Sequence, residues 1–580
     1  MSNIDHLAIA SQDDLPTAAT ITVKETLELL DGPFLGVSEG IASGSYAFWL
    51  GSGISRERVS GLDGVLAKLV EFLRVHSSPD ADCGYRKALE KIIGMATPGE
   101  EERAQINFAQ PSSTWTCLKN LLGRLWNQYS DVLSIEIPNE KLDYLLWVGL
   151  DFTNTFASQE ADAEHLAIGM LALEGTVTEL ATANWDGLLE AAMKELGYPE
   201  SFYRITVTGE DLRGPAAAAV LYKFHGCALR AIEHEDDYRD LLVARSAQIT
   251  GWMSSGKFKI VRDQLEALIQ RSRTLMIGLS AQDANIQNMF GQVGAQQGWK
   301  WTDQPTPIVF AAQELGENQK NVLNVAYGDD YERNRGEICE AARLQAYGKP
   351  LLLALLLNVL STKMKILASD VIAPMLDQDA HAAIAEGIAH LRNRVAEAGD
   401  ADRLQLARGI ATGLARARHQ LQDGLSPPGV PTYFPVDGQP AHLMKGKLGL
   451  ANTGQREAAV AIGLIGLDDQ AATWTVSIDD PIDVRSGALR LTSPSTSARV
   501  FFAASDDNIT SLMECGAFDV DDSDVVLLCS RRVSDRQQRN PSANRRTGTI
   551  GPRFVALGPM LVDSASLDDL RDRLRAEVSI

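Results

Sequence analysis

The stretch that most constrains the fold is residues 46–55, which reads YAFWL followed by GSGIS. The five apolar residues predict a buried strand, because the run is too short for an ordinary helix. From Leu62 onward apolar residues recur at helical spacing, with Leu66 and Leu69 on the same face. A strand, a glycine turn and a helix are typical of a loop that holds a phosphate. The same turn also occurs in ordinary loops, so further motifs in the chain are needed to distinguish a phosphate-binding loop from an ordinary one.

Composition narrows the class of protein. A chain of 580 residues predicts two or three domains. The net charge of −22 argues against a large nucleic-acid-binding surface, so we expect no strong direct binding of nucleic acid. The six cysteines lack C-x-x-C spacing, which predicts no zinc site and suits the reducing cytoplasm. The longest apolar run, residues 351–357, is too short to cross a bilayer and predicts a core helix.

The order of strand and helix patterns predicts an α/β fold. We expect a Rossmann-like, doubly wound parallel sheet with a large helical insertion, plus a C-terminal α+β domain. The predicted boundaries are a tail at 1–22, a nucleotide-binding domain at 23–345 with the insertion at about 65–175, a helical region at 346–425, and the α+β domain at 432–580. For the last domain we predict strands at 458–465, 474–478, 499–503 and 525–529, and a terminal helix capped by Ser566.

Polar residues follow four of the predicted strands. In chain order they are Gly51-Ser52-Gly53-Ile54-Ser55, Asn184 with Asp186, His225-Gly226, and Gly278-Leu279-Ser280 with Asp283. The carboxyl ends of parallel strands lie at one edge of a sheet, where ligands bind. All four groups are therefore expected to converge on one dinucleotide.

This set of motifs resembles the sirtuin superfamily, and more closely its bacterial sirtuin-like branch found in phage-defence proteins. The resemblance covers roughly residues 23–345. Family members have Gly-Ala-Gly-hydrophobic-Ser, Thr-x-Asn-x-Asp, a His-Gly pair after Leu-Tyr-Lys, and Gly-x-Ser followed closely by Asp. The matching positions here are residues 51–55, then Thr182, Asn184 and Asp186, then residues 221–226, then Gly278, Ser280 and Asp283.

The departures from the family pattern bear on the reaction. Deacylating sirtuins carry a four-cysteine zinc module and a Gly-Ile-Pro-Asp-Phe-Arg segment. This chain has no cysteines spaced for such a module, and residues 59–64 read VSGLDG. The predicted helical insertion takes the place of the zinc domain. An acyl-lysine groove is therefore not expected, whereas NAD+ binding and the asparagine–histidine pair are retained.

The resemblance implies a role for each site residue. Asn184 would position water and ribose hydroxyls, and His225 would act as general base. Asp186 would orient the nicotinamide side, or only cap its helix. The pyrophosphate and nearby ribose would lie on Gly51, Ser52, Gly53 and Ser55. The adenosine side would lie on Gly278, Ser280 and Asp283, with the loop near Tyr327 as a further candidate; alternatively Ser280 and Asp283 only start a helix.

The function that the resemblance implies is NAD+ glycohydrolysis. Nicotinamide is a good leaving group, and water would be the nucleophile, giving ADP-ribose or a cyclised form. The family context implies the toxic effector of an anti-phage abortive-infection system, cytoplasmic, oligomeric and inactive until triggered. A DNA-translocating ATPase, an Argonaute or a phage protein would be its partner. The alternatives are an NAD-dependent protein deacylase and a non-enzymatic module that senses NAD+ or ADP-ribose.

Two charged stretches lie outside the resemblance. Seven arginines fall between residues 531 and 553, which predicts either a solvated loop or a docking site for an acidic or phosphate-bearing partner. Asp519, Asp521, Asp522 and Asp524 predict an exposed turn, because they lack the glycine and glutamate of a calcium loop.

Overall fold

A computed structural model describes residues 16–59, 61–80, 82–156, 160–214, 216–296, 298–372, 375–429, 432–531 and 551–580. Most of the predicted arginine-rich stretch, including Arg536 and Arg545, lies outside these ranges, as do the first fifteen residues of the predicted tail. The described strands are β1 Tyr46–Leu50, β2 Glu179–Thr182, β3 Tyr203–Thr206, β4 Ala219–Lys223, β5 Arg273–Ile277, β6 Ile308–Ala311, β7 Arg343–Leu344, β8 Thr475–Ser477, β9 Leu489–Thr492, β10 Ser497–Ala503, β11 Val525–Cys529 and β12 Arg553–Ala556.

The helices before and around the first sheet are α1 Val23–Asp31, α2 Leu35–Ala42, α3 Leu62–His76, α4 Gly84–Met95, α5 Glu100–Ala104, α6 Leu118–Leu125, α7 Tyr129–Leu133, α8 Phe152–Phe156, α9 Ala163–Leu173, α10 Leu188–Glu195, α11 Ala228–Glu233, α12 Glu235–Tyr238, α13 Ser246–Gly251, α14 Lys259–Arg271, α15 Ala284–Ala295, α16 Glu317–Tyr327 and α17 Asp329–Ala342. Those that follow are α18 Gly348–Ile372, α19 Gln378–Gly399, α20 Arg403–Asp423, α21 Gln455–Gln470, α22 Asp506–Glu514, α23 Leu557–Asp563 and α24 Leu567–Val578.

The first sheet is parallel throughout and has the strand order β3-β4-β2-β1-β5-β6-β7. The predicted Rossmann-like, doubly wound sheet is therefore confirmed. Leu50 at the end of β1 pairs with Thr182 of β2 and with Ile277 of β5. Thr182 in turn pairs with Lys223 of β4. Four strands thus end in one row, and the polar residues that follow them start level with one another.

Helices cover both faces of this sheet. One face packs on α1, α2, α9 and α18, and the other packs on α14 and α15. In α18 every residue from Leu351 to Leu357 is buried, so the predicted core helix is confirmed. By length and composition α18 could cross a membrane, yet 78% of its apolar window lies buried inside the protein.

The helices between β1 and α9 have an apolar core of their own. It gathers side chains of α3, α4, α6 and α8 and one turn of π-helix, Leu145–Gly149. Leu242 and Ala244, which follow β4, complete it. By contrast α9, which falls in the range predicted for the insertion, is buried along its whole length in the core beneath the sheet.

The second sheet has the order β12-β11-β10-β9-β8, with β10, β11 and β12 parallel and β8 and β9 antiparallel. The predicted strand at 458–465 is wrong, because these residues lie in α21. Nearly every residue of that stretch is buried, so its apolar residues do not alternate with polar ones at helical spacing. Such a continuous apolar run cannot be told from a buried strand by its sequence. The cap of the last helix is confirmed, since the Ser566 hydroxyl accepts from the Asp569 N–H at 3.2 Å.

A buried polar cluster joins the two halves of the chain. The Nζ of Lys363 on α18 donates to the Glu174 carboxylate and to the Asp437 carbonyl, at 2.7 and 2.6 Å. The hydroxyl of Tyr433 donates to the other Glu174 oxygen at 2.7 Å. Lys363, Glu174 and Tyr433 are all fully buried. The segment after the Pro/Gly linker is therefore fixed against the core of the first sheet.

The aspartates of the predicted acidic turn form ion pairs with arginines. Asp519 and Asp522 pair with Arg485, and Asp522 and Asp524 pair with Arg499. Arg499 is only 8% exposed. These carboxylates therefore neutralise a buried cation within the second sheet.

Candidate active site

The glycine turns after β1 and β5 lock together through their backbones. The Gly51 N–H donates to the Ile277 carbonyl, and the Gly53 N–H donates to the Gly278 carbonyl, each at 3.0 Å. A Cβ added at Gly53 would lie 2.5 Å from the Gly278 Cα. The two glycines of the first turn are thus required by the neighbouring loop, and their N–H groups are already used. Ser52 between them is exposed.

Asn184 joins the first turn to the second. Its Nδ2 donates to the Gly51 carbonyl at 3.1 Å and to the Ser55 hydroxyl at 3.3 Å. The Ser55 hydroxyl donates in turn to Asp186 Oδ2 at 2.9 Å. The Thr182 hydroxyl orients the start of the turn by accepting from the Asn184 N–H at 3.0 Å. These hydrogen bonds hold the Asn184 amide beside the first glycine turn, at the edge where the strands end.

The Asp186 carboxylate links the first turn to the start of α10. Besides the Ser55 hydroxyl, its carboxylate accepts from the Leu188 N–H at 3.3 Å at the start of α10. The capping residue of α10 is Gly187, one position later than the sequence predicts. Of the two roles left open for Asp186, the structure therefore shows a capping contact together with a link to the first turn.

Lys223, at the end of β4, holds the Asn184 turn in place. Its fully buried Nζ donates to the Asp186 carbonyl and to Glu190 Oε1, both at 2.5 Å. Burial alone would lower the pKa of Lys223, but Cys227, Glu190 and Asp186 raise it above its usual range. The lysine is therefore charged, and it ties the end of β4 to the turn after β2. The sequence shows Lys223 in a motif but does not indicate this role.

Asn184 and His225 lie at equivalent positions after two neighbouring strands. Thr182 at the end of β2 pairs with Lys223 at the end of β4, and each of the two residues follows its strand end by two positions. The Nε2 of His225 lies 3.1 Å from Asp283 Oδ2. The same carboxylate accepts from the Trp252 indole N–H at 3.0 Å, and its other oxygen accepts from the Asn285 N–H at 2.8 Å. Burial would raise the pKa of Asp283, but hydrogen bonding and charge at His225, with the Asn285 and Trp252 donors, hold it below its usual value.

Two residues of this arrangement could not be predicted. Trp252 stacks on Phe224 with ring centroids 5.7 Å apart and meets the His225 ring edge-on at 5.7 Å. Gln319 donates to the Leu279 carbonyl at 3.0 Å and so steadies the loop between Gly278 and Asp283. Neither belongs to a motif, and a single Trp or Gln carries no spacing signal.

The helical insertion packs beside the site. The ring centroid of Trp185, the residue between Asn184 and Asp186, lies 6.2 Å from the ring centroids of both Phe152 and Phe156. Burial and the nearby charge of Asp283 raise the pKa of Tyr129 in α7. The insertion therefore contributes to the walls around both the Asn184 turn and the His225–Asp283 pair.

Ion pairs hold the chain just after the first glycine turn. Arg58 lies 3.3 Å from Asp162, and Lys349 lies 3.0 Å from the same carboxylate and also pairs with Glu57. Glu164 is buried nearby, and one of its carboxyl oxygens has no partner in the described part of the chain. Burial raises the pKa of Glu164 to about 8.

The structure brings most of the predicted residues together, with one difference. Asp283 was expected on the adenosine side, but its carboxylate is held against His225, and it also caps α15 by accepting from the Asn285 N–H. The loop near Tyr327 stays a prediction as a further candidate. Tyr327 itself ends α16. It interacts electrostatically with Tyr46, the first residue of β1, and so lies toward the opposite edge of the sheet. Gly278 and Ser280 are exposed at the predicted edge.

The side chains at this edge suit a dinucleotide. An amide, an imidazole paired with a carboxylate, and the exposed hydroxyls of Ser52 and Ser280 can bind ribose and phosphate groups. Within the described ranges, no group of three or more His, Cys, Asp or Glu side chains is placed to hold a metal ion.

Fold and site together define an α/β protein with a polar ligand site at the carboxyl edge of a doubly wound sheet. A family model described as a SIR2-like domain matches residues 178–329. The match includes Asn184, His225 and Asp283, and it supports a place in the sirtuin-like superfamily for this region. A SIR2-like domain implies the use of NAD+. No curated protein matches the chain.

Proposed function

We propose that this protein is an NAD+ glycohydrolase that releases nicotinamide and ADP-ribose. The observation that carries the proposal is the pairing of Thr182 with Lys223, after which Asn184 and His225 each follow two residues beyond the end of neighbouring strands. The hydrogen bond from His225 to Asp283 supports a basic role for the imidazole, because a carboxylate acceptor on one ring nitrogen fixes the orientation of the ring and leaves the other nitrogen to act as base.

In the proposed reaction the bond between ribose C1′ and the nicotinamide nitrogen breaks, and the electron pair leaves with nicotinamide. The oxygen of a water molecule then bonds to C1′. His225 accepts the proton of that water and returns it to solvent. The Asn184 amide orients the water or a ribose hydroxyl. Attack by a group of the same molecule instead of water would give a cyclised product.

The test is release of nicotinamide and ADP-ribose from NAD+ by the purified chain. We expect Asn184→Ala and His225→Ala to lose at least about 10²-fold in kcat, the usual contribution of a general base. His442→Ala is the matched control, because His442 is exposed and far from the site in sequence. Release that survives both substitutions would remove these residues from the mechanism.

Assays on the same purified protein distinguish hydrolysis from two other functions. Turnover of an acyl-lysine peptide coupled to nicotinamide release would establish a deacylase. Tight NAD+ binding without turnover, even with partner proteins present, would establish a sensor. The side chains of Asn184 and His225 favour hydrolysis over sensing, because a binding module needs no base.

We further propose that the reaction serves bacterial anti-phage defence by abortive infection, in the cytoplasm and under restraint until a trigger arrives. The basis is the resemblance of the site motifs to sirtuin-like defence proteins. A self-associated form and a partner such as a DNA-translocating ATPase, an Argonaute or a phage protein would supply the control. In cells under phage attack, NAD+ should fall with the wild type and stay constant with Asn184→Ala. Equal NAD+ levels in both would contradict the defence role.

A further inference from the structure

The hydroxyl of Tyr129 in the helical insertion has no hydrogen-bond partner among the described residues. Tyr129 lies in α7, and its ring packs against the apolar core of the insertion. The side chain is half-buried. A phenol hydroxyl both donates and accepts hydrogen bonds, and in a partly enclosed position it usually has a partner. The Tyr129 hydroxyl is therefore available to a ligand.

The packing of the helices brings Tyr129 close to the candidate active site. α7 packs on α13, and α13 is joined to the start of α15 because Asn285 Nδ2 donates to the Ile249 carbonyl at 2.6 Å. Trp252, just after α13, donates to Asp283 Oδ2 at 3.0 Å. The negative charge of Asp283 also acts on the Tyr129 phenol. Tyr129 therefore lies near the carboxylate that holds His225.

The Asp283 carboxylate already has a full set of hydrogen bonds. Its Oδ1 accepts from the N–H and the Nδ2 of Asn285, at 2.8 and 2.9 Å. Its Oδ2 accepts from the Trp252 indole and lies 3.1 Å from His225 Nε2. A carboxylate has about four acceptor positions, so these donors fill it. The Tyr129 hydroxyl therefore stays free beside the His225–Asp283 pair.

The environment of Tyr129 suits a hydrogen-bond donor. Burial and the charge of Asp283 raise the pKa of the phenol above its usual value. The phenol is therefore neutral near neutral pH, and it can donate its proton to an oxygen atom of a ligand. A neutral donor at this position matches a ribose hydroxyl, and it adds no negative charge that would repel a dinucleotide.

We propose that Tyr129 binds the ligand of the candidate active site, its hydroxyl donating to a hydroxyl of the ribose that carries nicotinamide. The proposal rests on the proposed function, in which this ribose lies on Asn184 and His225. The helical insertion then supplies a ligand contact as well as a wall of the site. Tyr129 is a binding residue in this arrangement, and it takes no proton in the reaction.

The experiment compares Tyr129→Phe with the wild type by calorimetric titration and by nicotinamide release. ADP-ribose contains the ribose in question and has no nicotinamide bond to break. We expect the variant to bind ADP-ribose about three- to tenfold more weakly, the usual effect of one neutral hydrogen bond. Binding of ADP, which lacks that ribose, should be the same in both proteins. In the release assay, KM for NAD+ should rise by a similar factor with little change in kcat.

Tyr85→Phe is the matched control. Tyr85 is a half-buried tyrosine of the same insertion, and its ring packs on Phe72. Its hydroxyl already has a partner, the hydroxyl of Tyr144 at 3.0 Å. We expect this variant to bind ADP-ribose and ADP as the wild type does. Circular dichroism of both variants shows that they are folded.

Equal affinity of Tyr129→Phe and wild type for ADP-ribose would overturn the proposal. So would an equal loss for ADP and ADP-ribose, which is the mark of a structural effect, and so would a wild type that does not bind ADP-ribose. Weaker ADP-ribose binding by the variant, with no nicotinamide release by the wild type, would contradict the hydrolase but support this contact. Release by the wild type, with an unchanged KM in Tyr129→Phe, would support the hydrolase and overturn the contact.

Discussion

Asp283 holds His225, caps α15 and binds the Trp252 indole with one carboxylate. Hydrogen bonds of this kind keep a histidine in one orientation and fix which ring nitrogen carries the proton. Asp283 is therefore a positioning residue in the proposed reaction, although it sits in a motif that the sequence assigns to another part of the ligand.

Replacing Asp283 by asparagine tests this role. The amide keeps the size of the side chain and the cap but loses the carboxylate that accepts from the His225 ring, so the ring is no longer held in one orientation. We expect Asp283→Asn to lower kcat for nicotinamide release by about 10²-fold or more, with a small change in KM. Trp252→Phe, which removes one donor and keeps an aromatic ring, should cost much less. If Asp283→Asn retains the wild-type kcat, Asp283 only caps the helix.

Glu164 makes stability depend on pH. Its pKa is about 8 in the folded chain, against 4.5 for an ordinary glutamate. Below pH 4.5 both states are protonated; as pH rises further, the unfolded chain ionises first. The free energy of unfolding therefore falls between pH 4.5 and 8. We expect Glu164→Gln to raise it at about pH 8 by on the order of 2 kcal/mol and to change little at about pH 4.5.

Urea unfolding at both pH values measures this effect. Glu101→Gln is the control, because Glu101 is exposed on α5. A gain for Glu164→Gln that is equal at the two pH values would show that Glu164 is not neutral in the folded chain.

The sequence predicts the candidate catalytic side chains better than the residues that hold them. Asn184 and His225 follow strands and stand in an ordered set of motifs, so their place is visible. Trp252 and Gln319 act through tertiary contacts, from the segment after α13 and from α16, and nothing in their local sequence marks them. Lys223 is visible as a residue, but its link to the Asp186 carbonyl depends on strand pairing.

At the scale of the element, the glycine turn after β5 is sensitive to substitution. Gly278 has φ of +64°, and a Cβ there would lie 2.8 Å from the Gly53 Cα. Gly278→Ala adds backbone strain to a clash with rigid backbone, so we expect a loss of about 2–4 kcal/mol in the free energy of unfolding. Gly336→Ala, in open space on α17, should be neutral or slightly stabilising. Denaturant titration of both variants measures the difference, and equal stability would contradict the locked turns.

Helices and strands are predicted correctly where the apolar residues recur at a regular spacing or where polar or glycine residues bound the apolar run. Tyr46–Leu50 is bounded by Ser45 and Gly51, and it is the predicted strand β1. The α21 stretch was misread because it is buried on nearly all sides and has Ala and Gly among its apolar residues. The edge strand Tyr203–Thr206 was missed because it has four residues and its middle two are only half-buried. In both cases neighbours in the fold, rather than local propensity, determine the structure.

At the scale of the whole molecule, one apolar cluster runs from α1 and the first sheet through α18 and α21 to the C-terminal helix α24. The buried Lys363–Glu174 pair stands where the segment after the linker meets this cluster. The predicted domain boundary at 432 stays a prediction, but the continuous core favours cooperative unfolding of both halves.

Removing Lys363 tests this connection. Lys363→Met removes one partner of the buried Lys363–Glu174 ion pair, which typically costs about 3–5 kcal/mol. We expect one unfolding transition, shifted to lower denaturant for probes in both halves. Lys445→Met is the control, because Lys445 is exposed. Separate transitions for the two halves in the wild type would contradict a shared core.

The contact between the turns after β1 and β5 limits how this protein can diverge. Neither turn can gain or lose a residue alone, because the backbone of each occupies the space beside the other's glycine. A new ligand preference at the candidate site would therefore arise by exchanging exposed side chains at fixed loop length, as at Ser52 and Ser280, or by remodelling the helical insertion. An engineer who wishes to alter the candidate site faces the same restriction, and should leave both turns intact.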